Sequence, residues 1–148
     1  MIVAHCASFG VDEDLDDPAR PRVPTFDLFL RLMAEKKYEG LVFGELSAMT
    51  EFNRDLRVWR ILLERTDLHP RLVNGSDYPI PAIHCLVWTG RFAKEGFITN
   101  EEKLLLDEIY GVNPLVFDFV MKRRLKHPQT GARFPTSVFV QNPAIALR

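Results

Sequence analysis

The sequence predicts an α/β fold with a parallel sheet, on three observations. Short runs that are apolar almost throughout, Ile2 to Cys6, Leu41 to Ser47 and Arg71 to Asn74, alternate with longer stretches whose apolar residues recur every three or four positions. Strands of that kind are covered on both faces, the habit of parallel sheets flanked by helices. The first run also carries an imidazole at its tip, His5, and the third passes into Gly75-Ser76-Asp77-Tyr78-Pro79. The C-terminal ends of parallel strands are where α/β enzymes place their chemistry.

Three strand–helix units follow one another. Strand Ile2 to Cys6 leads through an acidic, Pro-rich loop, Asp12 to Pro24, to a helix near Thr25 to Lys37 with Phe26, Phe29, Leu30 and Met33 on one face. Strand Leu41 to Ser47 precedes a helix of about Glu51 to Arg65, whose stripe is Leu56, Trp59 and Leu63. Arg71 to Asn74 is the third strand. Tyr78 to Ile98 reads as irregular, longer than an ordinary connection and so functional or covering. Thr99-Asn100-Glu101-Glu102 has the form of a capping box and starts a helix to about Tyr110. Pro114 opens another, about Leu115 to Lys126. These units occupy residues 1–127, and residues 128–148 form a tail with one apolar run, Ser137 to Val140.

The chain has 148 residues, 47% of them hydrophobic, and a net charge of -1, which suits one globular domain and gives no argument for disorder. Its Lys and Arg residues are scattered, with no footprint for a phosphate backbone, so nucleic acid is not an expected partner. Cys6 and Cys85 lie far apart without Cys-x-x-Cys spacing, which points to a reducing cytoplasm. No apolar run approaches the roughly 18 residues of a membrane span, and no signal peptide is recognisable.

The segments Ile2-Val3-Ala4-His5, Gly44-Glu45-Leu46-Ser47-Ala48 and Gly75-Ser76-Asp77-Tyr78-Pro79, followed by Asn113, resemble in order and spacing the barrel-type metal-dependent amidohydrolases. The branch is that of aminocarboxymuconate semialdehyde decarboxylase. The resemblance implies that residues 1–127 are the C-terminal part of a (β/α)8 TIM barrel, strands 6 to 8 plus closing helices. It implies a catalytic His5 that contacts the reacting water or substrate, and an Asp77 that serves as metal ligand and proton acceptor. Zinc or another divalent cation is the implied cofactor. Ser76 and Tyr78 flank the acid, and Pro79 constrains the backbone beside it. The family's first-strand His-x-His pair is missing, and a full barrel needs about 250 residues. The expectation is therefore the C-terminal part of a longer enzyme acting on a small carboxylated molecule, inactive alone, and either a homo-oligomer or a partner of the missing N-terminal half. The alternative is a non-catalytic binding or assembly module that keeps the scaffold without the metal pair.

Each residue also has a plainer role. Asp77 suits a turn whose side chain bonds its own backbone. A lone His5 in an apolar run suits a core histidine. Glu45 and Ser47 share a face that points into the barrel, where Ser47 and Tyr78 would contact substrate, or sits at a solvated strand end. Arg54 is placed at a substrate carboxylate or on a helix surface. Cys6 is a small core hydrophobe, and His84 with Cys85 is structural. Trp88 and Phe92 cover a pocket or fill space, and Asp12 to Asp17, lacking an EF-hand pattern, is a solvated loop.

Overall fold

A computed structural model describes residues 1–141. The first apolar run is extended only over β1 (Ile2–Val3), because the backbone then turns left-handed at His5, Cys6 and Ala7, with φ of 55°, 49° and 49°. Residues expected as a solvated loop pair instead as an antiparallel hairpin of β2 (Val11–Glu13) and β3 (Arg22–Pro24). Asp14 anchors the hairpin, accepting both terminal nitrogens of Arg31 at 2.6 and 2.7 Å.

α1 (Thr25–Ala34) buries Phe26, Phe29 and Met33 but stops short of Lys37. In a continuing helix the Met33 carbonyl would serve the Lys37 amide. Arg71 takes that carbonyl at 2.7 Å and also donates to Val42 O and Tyr38 O at 2.9 and 3.1 Å.

β4 (Phe43–Glu45) leads to α2 (Leu56–Glu64), which begins at the first residue of its apolar stripe and later than the expected Glu51. Asp55 sets the start, accepting the Arg57 amide at 2.8 Å as an N-cap. The expected stripe Leu56, Trp59 and Leu63 is buried, and the Trp59 indole donates to Met49 O at 2.9 Å. β5 (Leu72–Val73) completes a parallel sheet of order β1-β4-β5, in register Ile2–Phe43, Val3–Gly44, Gly44–Leu72 and Glu45–Val73.

The stretch expected to be irregular holds two 3₁₀ turns and α3 (Thr89–Lys94). Phe92 is fully buried, whereas Trp88 is 56% exposed and stacks on Phe52. α4 (Asn100–Val112) opens with the capping box in both directions, Glu102 N to Thr99 Oγ1 at 3.1 Å and Thr99 N to Glu102 Oε2 at 2.9 Å. α5 (Pro114–Arg124) is capped by Asn113, which accepts the Leu115 and Val116 amides. α6 (Ser137–Val140) lies in the expected tail, and its Val138 carbonyl accepts the Asn74 amide at 3.1 Å beside β5. The remainder of that tail, residues 142–148, lies outside the described residues.

The architecture is mixed α/β around a small parallel sheet, with a core of Trp59, Leu62, Phe92, Phe117 and Met121. The described residues form an open sheet of three strands, not a closed barrel. Among them no helix is long and apolar enough to cross a membrane.

Two measurements test this packing. A Cβ on Gly44 would meet Phe29 Cζ at 2.7 Å, Cys6 Sγ at 2.8 Å and Leu72 Cδ2 at 3.1 Å. Gly44→Ala will therefore destabilise the chain by about 1–3 kcal/mol in urea unfolding. The hydrogen bond from Arg31 holds the Asp14 carboxyl below the usual carboxylate range. That contribution is fully present above the ordinary Asp value of about 4 and is lost as pH falls through the lowered one. The parent will lose more stability between about pH 5 and pH 2 than Arg31→Gln does; parallel curves would contradict the anchor.

Candidate functional site

The C-terminal tips of the three parallel strands carry an unusual backbone. Six non-glycine residues among those described have positive φ, and five of them, His5, Cys6, Ala7, Ala48 and Asp77, sit just beyond β1, β4 or β5. An L-residue in that region costs roughly 1–3 kcal/mol, and such residues cluster at functional sites.

The turn after β1 brings His5 against the loop after β4. His5 Nδ1 lies 3.0 Å from Ser47 O and 2.9 Å from Ser47 Oγ, while the Ser47 hydroxyl donates to Glu45 Oε2 at 2.6 Å. A backbone carbonyl only accepts, so Nδ1 carries a proton and Nε2 is the nitrogen left to face outward. Nε2 faces Asp77 Oδ2 at 3.7 Å, with side-chain exposures of 27% for His5 and 42% for Asp77. An imidazole nitrogen and a carboxylate thus meet at the solvent edge of the sheet, a pair able to orient water and accept its proton.

Beneath the pair runs a buried ionic layer. Lys122 on α5, 0% exposed, donates to Asp118 Oδ2 at 2.6 Å and to Gly75 O at 2.7 Å, and Thr50 Oγ1 lies 3.5 Å from Asp118 Oδ1. Burial pushes the Asp118 carboxyl up and the Lys122 ammonium down, and each group's attraction for the other opposes its shift. Gly75 packs directly on Glu45, because a Cβ there would overlap Glu45 Oε1.

His5 and Asp77 are brought together as the sequence suggests, and the other expected residues take different places. Ser47 is 1% exposed, with its bonds directed to His5 and Glu45. Tyr78 is 62% exposed beside the pair, its amide donating to Ser76 Oγ at 3.3 Å. Arg54 lies in the turn before α2, not on a helix surface. Its guanidinium pairs with Glu51 at 3.3 Å, reaches Ala48 O at 3.3 Å and covers the Phe9 ring, so it ties the loops after β1 and β4 together. Lys122 and Asp118 escape sequence reasoning because an i,i+4 acid–base pair reads as a helix surface. The signal was their setting, Val116-Phe117-Asp118-Phe119-Val120-Met121-Lys122, where the charges interrupt an apolar run.

Among the described residues no three or more His, Cys, Asp or Glu side chains converge on a metal-sized site. No family model, curated protein or solved structure matches the chain.

Cys6 is fully buried, with its thiol toward Glu45 O, and burial, aided by the Glu45 charge, drives its pKa far up. A thiol reagent will therefore label exposed Cys85 alone in the native chain. Fast labelling of a Cys85→Ser variant before denaturation would show the strand tips open.

Proposed function

We propose that the three parallel strands are the sixth, seventh and eighth of an amidohydrolase-type (β/α)8 barrel. His5 and Asp77 form part of its metal-dependent site, which hydrolyses a C–O or C–N bond, or removes a carboxylate, of a small carboxylated substrate. The observation that carries this reading is the approach of His5 Nε2 to Asp77 Oδ2, 3.7 Å apart, from the tips of β1 and β5. Strand order gives it support, since successive parallel strands lie side by side in chain order, as they do in a barrel wall.

Asp77 Oδ2 is a donor suited to zinc and would hold the cation, with His5 Nε2 beside it, and a zinc site takes at least three protein ligands in all. Bound there, the cation would supply the activation of water. Asp77 accepts the proton. His5 orients the water or the substrate, with its tautomer set by Ser47 O and its neighbour Ser47 held by Glu45. Tyr78, exposed at the edge, is placed to meet substrate. The remaining ligands belong to partner strands, from a second copy or an N-terminal half. Their place is beside the two edge strands, β1 and β5, each of which pairs on one side only among the described residues, and β1 adjoins an apolar groove of about 430 Å³ lined by Val3, Ala7, Phe29 and Leu32.

Calorimetric titration of the purified chain with Zn²⁺ tests the assignment. Weak binding is expected, reduced about tenfold or more by His5→Ala and by Asp77→Ala, with no turnover by the chain alone. Affinity unchanged in both variants overturns the proposal and favours a binding module built on the same scaffold.

A further inference from the structure

We propose that Lys122 is a positioning residue of this site: its ammonium clamps the Gly75 carbonyl and so sets where Asp77, two residues further on, meets His5. The inference rests on the reading of His5 and Asp77 as a functional pair.

A fully buried lysine needs a reason. Taking an ammonium out of water carries a large desolvation cost that its partner only partly offsets, and a well-packed apolar pair of similar volume is often as stable or more so. Asp118 alone would neutralise Lys122 within α5, one helical turn away. Lys122 nevertheless extends a second hydrogen bond, 2.7 Å long, out of its own helix to Gly75 O. Among the described residues it is the only helix side chain that bonds to the backbone of residues 74–78.

Besides the Lys122 bond, the turn is held by the Asn74 amide on Val138 O, the Ile80 amide on Asp77 O and the Tyr78 amide on Ser76 Oγ, and none of these comes from a helix side chain. β5 ends at Val73, and Asp77 stands at φ 58°, a conformation an L-residue keeps only when its surroundings impose it. Glu45 blocks the turn from one side, where no Cβ fits on Gly75, and Lys122 fastens it from the helical layer. The Glu45 and Asp77 carboxylates both lie close enough to attract the ammonium. A charged donor holds a carbonyl more strongly than a neutral one. The clamp therefore transmits the position of α5 to a carboxylate that α5 does not hydrogen-bond.

The test couples two changes and reads the ring nitrogens of His5 by ¹H–¹⁵N NMR of the full chain. Asp77→Asn is expected to displace those resonances in the parent. In the Lys122→Met/Asp118→Leu background, which removes both buried charges together, the displacement is expected to be lost. The Trp59 indole N–H signal, reporting its bond to Met49 O, confirms that the core is intact. Should that signal disappear, Lys122→Gln/Asp118→Asn replaces the apolar pair, since glutamine is too short to reach Gly75. An equal displacement in both backgrounds overturns the positioning role and leaves the His5–Asp77 pair standing. No displacement in the parent means that His5 and Asp77 do not interact, and it overturns the site and the clamp together.

Discussion

The contact at Gly44 governs the rest of the structure. β1 and β5 each pair with β4 over two residues, so few ladder hydrogen bonds hold the strands in register. Side-chain packing has to do that work. Gly44 pairs with Val3 on one side and Leu72 on the other, and Phe29, Cys6 and Leu72 press onto its Cα where no Cβ fits. Close approach of this kind fixes the three strands to α1 and to one another, and thereby fixes the heights of their tips. A slip of one residue would exchange the faces of the strand and separate His5 from Ser47.

Above that junction the backbone is conformationally expensive. Left-handed residues follow all three strands, and the surrounding hydrogen bonds keep them in place. Ser47 and Glu45 hold His5 from the middle strand, Arg54 ties the neighbouring loops, and Lys122 reaches the Gly75 turn from the opposite layer. A fold built for stability alone would have little use for strained tips over a buried ion pair. Stability surrendered in one place and supported from others is the usual arrangement at a functional site.

Much of the architecture was legible along the chain. The apolar stripes of α1 and α2, the capping box of α4 and Pro114 at the start of α5 are local signals, and each element formed where its signal lay. Boundaries moved where distant residues intervened: Arg71 ends α1 by taking the Met33 carbonyl, and the left-handed turn at His5 cuts β1 to two residues. The hairpin of β2 and β3 was hidden because its residues are mostly charged or proline and its anchor, Arg31, lies on a later helix. At the site, polar residues at strand ends pointed to His5 and Asp77, while the supporting shell stayed out of view. Ser47 was read as a substrate contact and Arg54 as a substrate or surface residue, yet both make their bonds to the protein itself.

By itself the sequence determined the periodicities, the caps and the alternation of apolar runs with amphipathic helices, because each depends on residues within one or two turns of one another. Tertiary structure alone decided which way His5 faces, that Asp77 comes within 3.7 Å of it, and that Lys122 and Asp118 are buried instead of solvated. Those outcomes join residues up to 72 positions apart. They depend on how helices and strands pack in three dimensions, and no local propensity encodes that.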